Sequence, residues 1–311
     1  MWQKLKGFNL GTVEIPPKGF EDYRTFTATG AKLLRLVIPT YQNQSPVDYW
    51  LTPLQWSFLE TTVSLARRWG FKVVVGLAPQ PSALQAQYWK DHRQQIGISR
   101  LWSQIAEHFK GDEAIAGFDL INEPVAPTAQ AWADFAHLLL NAVRAQDIER
   151  TVIIESHQWA HPQAFANEVR VPGDNVIYSL HFYDPIQLTH QGVLPGCVRG
   201  NSYPTKIFNR DYLIEQLRPA VEFAKSQNVP MYVGEFSCVR WAPGESRQQW
   251  ISDAVSLFEE QGWAWTFHAW RGFDGWIPQI PDGLPAELPQ TYYDYLTENS
   301  EAMQVLAPLL R

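Results

Sequence analysis

The sequence has 311 residues, of which 45% are hydrophobic, and it carries a formal net charge of −7. A chain of this length can bury a large core, either as one α/β barrel or as two ordinary domains. The negative charge and the lack of a Lys or Arg cluster argue against nucleic acid and against an anionic membrane surface as partners. Small neutral ligands are compatible with this composition.

Targeting and redox signals are weak. Residues 1–10 contain no apolar segment followed by a cleavage site, and no stretch approaches the roughly 18 apolar residues of a membrane span. The chain is therefore predicted to be soluble, as a secreted mature form or as a cytoplasmic protein. Cys197 and Cys238 are too few for a disulfide framework, and both a bond between them and two free thiols remain open.

The 14 tryptophans exceed what packing needs. Flat apolar rings at a rim suit ligands with apolar faces, such as sugar rings, although packing is the alternative for each one. Those expected in loops or at strand ends are Trp159, Trp241, Trp270 and Trp276.

Short apolar runs alternate with amphipathic segments along the chain. Eight runs are predicted to be strands: residues 5–10, 32–38, 71–77, 114–120, 151–155, 176–182, 231–236 and 264–269. Helical patterns between them cover residues 53–69, 99–109, 128–145, 211–226 and 246–261.

The order of these elements predicts an α/β protein, a single (β/α)₈ TIM barrel over residues 1–311. Continuous apolar runs such as Val73-Val-Val75 are typical of parallel strands that are covered on both faces. Eight strand–helix units favour closure into a barrel. An open doubly wound sheet is the alternative, but the chain lacks a glycine-rich phosphate turn after its first strand. Two long connections, residues 184–208 and 271–290, follow strands and should lie on the carboxyl face of the barrel.

Polar residues punctuate the carboxyl ends of the predicted strands, where TIM barrels carry their chemistry. They are Arg35, Asn122, Glu123, His181, Tyr183 and Glu235, with Trp270 after the eighth strand. Singly, the arginine could be a structural ion-pair partner, the histidine a satisfied core residue, and the glutamates solvated rim residues. Together they would be costly around one barrel mouth unless they satisfy one another or a ligand.

Two carboxylates beside aromatic rings are what glycosidic bond cleavage requires. One acid must be protonated to release the leaving oxygen, and the other must be ionised to attack the anomeric carbon or to activate water. Close approach of Glu123 and Glu235 would raise the pKa of one, while Arg35 would keep the other ionised. The pair therefore predicts a glycosidase.

Several motifs then point to one family. They are Lys6-Gly-Phe-Asn-Leu-Gly11, Leu34-Arg-Leu-Val-Ile-Pro39, Asn122-Glu-Pro124, His181-Phe-Tyr183 with Thr189-His-Gln-Gly192, Gly234-Glu-Phe236 and Trp270. In this order, over nearly the whole chain, they resemble glycoside hydrolase family 5, the cellulase and mannanase family. The resemblance implies a (β/α)₈ fold and a retaining mechanism on β-linked sugars without a metal or other cofactor.

The resemblance also implies roles for individual residues. Glu123 would be the general acid/base and Glu235 the nucleophile, with carboxyl groups roughly 5 to 5.5 Å apart rather than the roughly 6.5 to 9.5 Å of inverting enzymes. Asn122 would hydrogen-bond the 2-hydroxyl of the reacting sugar. The remaining roles are that Arg35 and Tyr183 hold Glu235 ionised and aimed, His181 lies near the acid/base, and Trp270 forms the floor under the reacting ring.

One strand departs from the family pattern. The third strand of the family usually ends in a histidine, whereas this chain has Gly76 and Ala78 there. His157, His161 or Gln80 are possible replacements, which leaves the identity of the substrate open.

Further aromatic and histidine residues near loops are weaker candidates. Trp159 is expected to be a stacking platform in the sugar-contacting loop around His157, and a zinc site on His157 and His161 is the alternative. Candidates for more distant subsites are Tyr41, Trp89, Trp241 and Trp276.

The resulting expectation is a retaining endo-β-1,4-glucanase that cleaves a β-linked oligo- or polysaccharide as a monomer. The alternatives are a β-mannanase, an exo-acting β-glucosidase or β-mannosidase, a non-catalytic sugar-binding barrel, and a metal-dependent barrel hydrolase.

Overall fold

Eight parallel strands close into a barrel in the computed structural model, which describes residues 2–12, 19–42, 48–79 and 89–311. The barrel strands are β1 (Lys6–Thr12), β2 (Leu33–Gln42), β4 (Lys72–Pro79), β5 (Ile115–Asp119), β6 (Val152–Glu155), β7 (Val176–Phe182), β8 (Met231–Phe236) and β9 (Ala264–Phe267). A short strand, β3 (Tyr49–Trp50), pairs antiparallel with the end of β2. Strand β1 pairs in parallel with both β2 and β9, so the sheet has no open edge among the barrel strands. The predicted TIM barrel and its eight strands are confirmed.

The helices are α1 (Phe20–Ala28), α2 (Pro53–Trp69), α3 (His92–His108), α4 (Ala129–Arg144), α5 (Ile186–Thr189), α6 (Arg210–Gln227), α7 (Ser246–Gln261) and α8 (Glu301–Leu306). The sequence patterns placed α2 and α7 at these bounds because both end at a glycine in the left-handed conformation, Gly70 and Gly262. Helix α2 also begins with a reciprocal capping box between Thr52 and Gln55.

The sequence patterns predicted helix α3 incompletely and did not predict α1 or the short helices α5 and α8. Helix α3 begins at His92 rather than Ser99, because its first turn is polar and Asp91 caps it through the backbone N–H of Arg93. Helix α1 was missed. Its sequence, rich in aromatic and Thr residues, has weak helix propensity and buries only Asp22, Tyr23 and Phe26.

The barrel interior changes from apolar to polar along the strands. Side chains alternate along a strand, so Leu33, Arg35 and Val37 of β2 point to the same side. Leu33 belongs to an apolar layer near the amino ends of the strands. The other buried members of that layer are Val74, Ile153, Ile177, Tyr232 and Ala264. Arg35 lies one layer above, towards the carboxyl ends, so the functional side chains stand on a closed apolar base.

Candidate active site

Arg35 is the centre of the polar layer at the barrel mouth. Its side chain is fully buried and makes hydrogen bonds to residues that follow or belong to four other strands. Nε donates to Asp119 Oδ2 at 2.8 Å. Nη1 donates to Asn9 Oδ1 at 3.0 Å and to Glu235 Oε1 at 2.6 Å. Nη2 donates to Asn122 Oδ1 at 2.9 Å and to Glu155 Oε1 at 2.7 Å. A planar guanidinium with five donors suits this arrangement, which a lysine could not reproduce.

Glu123 is held at the end of β5 in an unusual backbone conformation. Its φ is 48°, in the left-handed region that a non-glycine residue adopts only at a cost of about 1 to 2 kcal/mol. The hydrogen bond from its backbone N–H to Glu155 Oε2, at 2.6 Å, offsets part of that cost. Pro124 disfavours right-handed helical angles at the preceding Glu123. The turn directs the Glu123 carboxyl towards the barrel mouth, where it lines both cavities described below.

His181 connects the two predicted catalytic acids. Its Nδ1 donates to Glu123 Oε1 at 2.9 Å and lies 3.8 Å from Glu235 Oε2, while Nε2 lies 3.2 Å from Glu155 Oε1. Burial opposes a charge on this imidazole, but the carboxylates of Glu155 and Glu235 outweigh it and raise the pKa of His181 well above its ordinary value. His181 is therefore an imidazolium at neutral pH.

Gly234 makes room for His181. A Cβ at this position would lie 2.9 Å from Ser179 Oγ and 3.0 Å from His181 Nε2, closer than side chains normally approach. The Gly-Glu-Phe motif of β8 thus allows the neighbouring strand to place its imidazole beside Glu235.

Glu235 is the ionised acid of the site. Its Oε1 accepts from Arg35, and its Oε2 accepts from the Tyr183 hydroxyl at 2.8 Å and faces His268 Nδ1 at 3.4 Å. Burial would raise the pKa of Glu235, but the positive charges of His181 and Arg35 and the hydrogen bond from Tyr183 hold it well below its usual range. The carboxylate is thereby kept as an anion with Oε2 facing the pocket.

Glu123 has the opposite shift. Burial raises the pKa of the Glu123 carboxyl, and the nearby charges of Glu235 and Glu155 add to this, although the contact with His181 opposes it. Burial and the charge of Glu155 also raise the pKa of Asp119, to about 8, whereas His181 and Arg35 lower that of Glu155 despite its burial.

These opposite shifts arise among neighbouring ionisable residues of one site. We call its ionisable residues the mouth cluster: Arg35, Asp119, Glu123, Glu155, His181 and Glu235. The raised pKa values of Asp119 and Glu123 favour the neutral form of these acids, whereas the lowered pKa values of Glu155 and Glu235 favour the anion. Glu155 and Glu235 both lie against the cations Arg35 and His181, which offsets the cost of burying their charges.

Two cavities meet at Glu123. The reaction pocket has a volume of about 260 Å³ and is lined by Asn122, Glu123, Tyr183, Glu235, His268 and Trp276, among others. The acid-side cleft, of about 740 Å³, is lined by Glu123, His157, Trp159, His161, Ile186 and Leu194, among others. Glu123 therefore lies where the small pocket meets the open cleft, and Glu235 lies within the small pocket.

Trp270 does not occupy the position expected from the sequence. Its side chain is fully buried, packs on Phe8 and Phe26, and donates its indole N–H to the backbone oxygen of Asp22. It supports the wall between β1 and α1 and lines neither cavity, so the expectation of a floor under the reacting ring was wrong. Trp276 is the tryptophan that lines the reaction pocket.

The loop that follows β6 lies beside the acid-side cleft. Trp159 lines this cleft and is 51% exposed, in a position open to a ligand. His157 Nδ1 lies 2.9 Å from Glu168 Oε2, whereas His161 Nε2 lies 2.9 Å from Asp184 Oδ2. The two histidines thus pair with different carboxylates, which is not the convergent arrangement that the zinc alternative required.

Neither of the two described candidates replaces the third-strand histidine in the reaction pocket. His157 and His161 line the acid-side cleft rather than the reaction pocket, and Gln80 lies outside the described residues. Among the described residues, the imidazoles that line the reaction pocket besides the mouth cluster are His190 and His268.

The other weaker aromatic candidates differ in position. Tyr41 is 41% exposed, Trp89 packs against Trp132 in the core, and Trp241 donates to the backbone oxygen of Gln191. The two cysteines are free thiols, with Cys238 buried.

Sequence reasoning missed four residues of the site. Asp119 and Glu155 end apolar strands, and a charged residue at the end of an apolar strand is the signal that identified Glu235, so it was available for both. Asn9 lies within the Lys6–Gly11 motif. His268 comes directly after β9, and a polar residue at a strand end is the signal that identified the other candidates.

Arg35→Met is expected to lower the free energy of unfolding by about 3 to 5 kcal/mol, because it leaves buried carboxylates without their cation. Urea unfolding of both proteins measures this. The matched control is Arg67→Met, which removes an ion pair with Asp112 from an arginine whose side chain is 55% exposed and should cost about 0 to 1 kcal/mol. Equal costs for the two variants would contradict the central role of Arg35.

The fold and the site define a class of protein. It is a (β/α)₈ barrel with two glutamates at the carboxyl ends of its strands, one with a raised pKa and one with a lowered pKa. The profile of the cellulase family, glycosyl hydrolase family 5, matches residues 4–274. The chain belongs to this family, as its motifs indicated.

Relatives agree with this membership. Endoglucanase C of Acetivibrio thermocellus is 27% identical over 199 residues, which are 55% of this chain and 58% of that protein. The chain thus spans little more than half the length of this relative. Thermotoga maritima Cel5A superposes with a TM-score of 0.81 in a cellobiose complex of a mutant form, at 23% identity, and the match covers 98% of this chain and 97% of that one. Its mannotriose complex gives 0.80 at 24% identity and covers 98% of each chain.

No helix in the described part of the chain is both long and apolar enough to cross a membrane.

Proposed function

We propose that the protein is a retaining endo-β-1,4-glucanase that hydrolyses a β-linked glucan by double displacement. One observation carries the proposal. An oxygen of Glu123, a nitrogen of His181 and an oxygen of Glu235 lie within 4.8 Å of one another. Oxygens this close suit direct attack by one carboxylate, as in retaining enzymes, better than the wider spacing with which inverting enzymes hold a water between their acids.

The opposite pKa shifts give the two acids their roles in the first step. Ionised Glu235 attacks the anomeric carbon through Oε2, the oxygen that faces the pocket. As the glycosidic bond breaks, protonated Glu123 transfers its proton to the leaving oxygen. The products are a covalent glycosyl ester on Glu235 and a free leaving group.

The second step reverses the roles. Glu123, now ionised, removes a proton from water as the water attacks the same anomeric carbon and breaks the ester bond. His181 accommodates both states of Glu123, because its Nδ1–H can donate to the carboxylate that forms after proton transfer. No metal or other cofactor enters either step.

Asn122 has a fixed orientation that suits a sugar hydroxyl. Its Oδ1 accepts from Arg35 Nη2, so its Nδ2 is turned away from the guanidinium, and the residue lines the reaction pocket. We assign its amide N–H to the 2-hydroxyl of the reacting sugar, next to the carbon that Glu235 attacks.

The acid-side cleft supports endo action. Glu123 protonates the leaving oxygen, so sugars on the leaving-group side extend into the cleft beside it. Its volume of about 740 Å³ and the half-exposed ring of Trp159 suit several sugar units of a polymer rather than a small leaving group. A monomeric enzyme acting on a polysaccharide fits this open site.

The second candidate is a β-mannanase, because the Thermotoga maritima relative has been crystallised with mannotriose as well as cellobiose. An exo-acting β-glucosidase or β-mannosidase and a non-catalytic sugar-binding barrel are the remaining alternatives.

Digestion of cellohexaose and mannohexaose separates these functions. We expect cellohexaose to give cellobiose, cellotriose and cellotetraose from the earliest time points, with slower cleavage of mannohexaose, when products are followed by chromatography. Only glucose at early times would contradict the endo assignment, faster cleavage of mannohexaose would favour the mannanase, and binding without cleavage would favour the sugar-binding barrel.

A further inference from the structure

His268 lies close to the place where the reacting sugar must bind. Its side chain is 20% exposed, it lines the reaction pocket, and its Nδ1 lies 3.4 Å from Glu235 Oε2. An anomeric carbon in position for attack comes to roughly 3 to 3.5 Å from that same oxygen. The atoms of the sugar next to the anomeric carbon must therefore come within reach of His268, if Glu235 is the nucleophile as proposed above.

The imidazole of His268 has unused hydrogen-bonding capacity. Its Nδ1 is buried and has no hydrogen-bond partner among the described residues. Burial lowers the pKa of this imidazole, and the charge of Arg35 adds to the effect although Glu235 opposes it, so the ring is neutral. A neutral imidazole offers one donor and one acceptor, which matches a hydroxyl group.

The aromatic neighbours fix the orientation of the ring. Trp276 packs edge to face against His268, with ring centroids 5.4 Å apart, and against His190, at 5.0 Å. The Trp276 indole N–H in turn donates to the backbone oxygen of Thr189 at 3.4 Å. His268 is thus held in place before a ligand arrives.

The strand order indicates which hydroxyl His268 meets. Around the closed barrel, β9 lies four strands from β5 in both directions, so His268 faces Asn122 across the mouth. The anomeric carbon has two ring neighbours, C2 and the ring oxygen. With the 2-hydroxyl on the side of Asn122, the opposite side carries the ring oxygen and then C5 with its hydroxymethyl group.

We propose that His268 is a specificity-determining residue that hydrogen-bonds the 6-hydroxyl of the reacting sugar and thereby selects hexose over pentose units. This inference rests on the proposed glycosidase function and adds to it the group of the sugar that is recognised. A pentose such as xylose lacks the hydroxymethyl group and could not form this hydrogen bond.

The test compares wild type with His268→Phe, which keeps a flat ring without nitrogen. The substrates are an aryl β-cellobioside and two analogues in which the ring next to the aryl group is 6-deoxy or 2-deoxy. For the parent and the 2-deoxy substrate we expect His268→Phe to lose about 10- to 100-fold in kcat/KM. For the 6-deoxy substrate the two proteins should differ by less than about threefold. His268→Gln, which keeps a polar group, should recover part of the loss on the parent alone.

A uniform loss on all three substrates, or no loss on the parent, would overturn the assignment while leaving the glycosidase function intact. His137→Phe, on the outer helix α4, is the control for the substitution itself, and thermal melting checks that each variant folds. If wild type hydrolyses none of the substrates, the proposed function fails instead. In that case calorimetry measures the affinity of wild type and of His268→Phe for cellobiose and for its reducing-end 6-deoxy analogue. Wild type should prefer cellobiose more strongly than His268→Phe does. An equal preference for cellobiose in the two proteins would refute the contact between His268 and the 6-hydroxyl.

Discussion

Glu235→Ala is expected to reduce the hydrolysis of an aryl β-cellobioside by on the order of 10⁴-fold or more, because it removes the group that forms the bond to the anomeric carbon in the proposed mechanism. Arg35 and Tyr183 hold this carboxylate ionised and direct Oε2 into the reaction pocket. Initial rates from released aryl alcohol, at several substrate concentrations, measure the loss in kcat and in KM separately. The loss should fall on kcat, because the pocket that binds the sugar remains.

Two further variants separate chemistry from folding. Glu235→Gln keeps the shape of the side chain and a carbonyl oxygen for Arg35, so it should be as inactive as Glu235→Ala yet fold more stably. Glu260→Gln changes a glutamate that is exposed on helix α7 and paired only with Arg210 in the described structure, so it should retain the wild-type rate. A Glu235→Gln enzyme within tenfold of wild type would rule out the nucleophile assignment.

The barrel could be predicted from the sequence because two independent patterns agree. Continuous apolar runs such as Val73-Val-Val75 mark strands buried on both sides, and glycines such as Gly70 and Gly262 mark the ends of helices. Both patterns are local, so they survive without knowledge of tertiary contacts. Helix α1 lacked such a pattern, since packing against the barrel rather than intrinsic propensity stabilises it.

Residues of the site could be predicted where a charged side chain interrupts an apolar strand. The contacts that each of these residues makes could not be predicted in the same way. Arg35 was found in this way, but the number of its partners depends on Asp119 and Glu155, which come from strands far apart in the chain. Trp270 shows the limit of motif position. It follows the last strand as expected, but its ring turns towards Phe8 and the core, which only the packing of β1 and α1 determines.

The sequence predicted that one catalytic carboxyl has a raised pKa and that the other stays ionised, but it did not predict how many ionisable residues surround them. The sequence led to a two-carboxylate site in which Arg35 keeps one acid ionised. The structure places four carboxyl groups and two cations in the mouth cluster, and burial is the largest influence on each of these carboxyl groups. Glu123 therefore owes its raised pKa first to burial and only then to Glu235, a distinction that spacing along a chain cannot give.

Glu123→Gln is expected to slow hydrolysis in a manner that depends on the leaving group. On an aryl cellobioside with a basic leaving group, or on cellohexaose, the loss of proton donation should cost about 10² to 10⁴-fold in kcat/KM. A dinitrophenyl leaving group needs little protonation, so its release in the first step should fall by less than about tenfold. The glycosyl enzyme should then accumulate, because the variant also lacks the base that activates water, and intact-mass measurement would detect it.

The pH dependence supplies the control for this assignment. Because the pKa of Glu123 is raised, wild-type kcat/KM should persist above the usual carboxyl range and fall as the pH rises through that raised value. Because the pKa of Glu235 is lowered, the ionised nucleophile persists below the usual carboxyl range, and activity is lost on that side only at still lower pH. In Glu123→Gln the alkaline fall should disappear while the acid fall remains. If the fall at high pH is unchanged in Glu123→Gln, then another group of the mouth cluster loses the proton that causes it. Asp119, with a pKa raised to about 8, would be the residue to replace next.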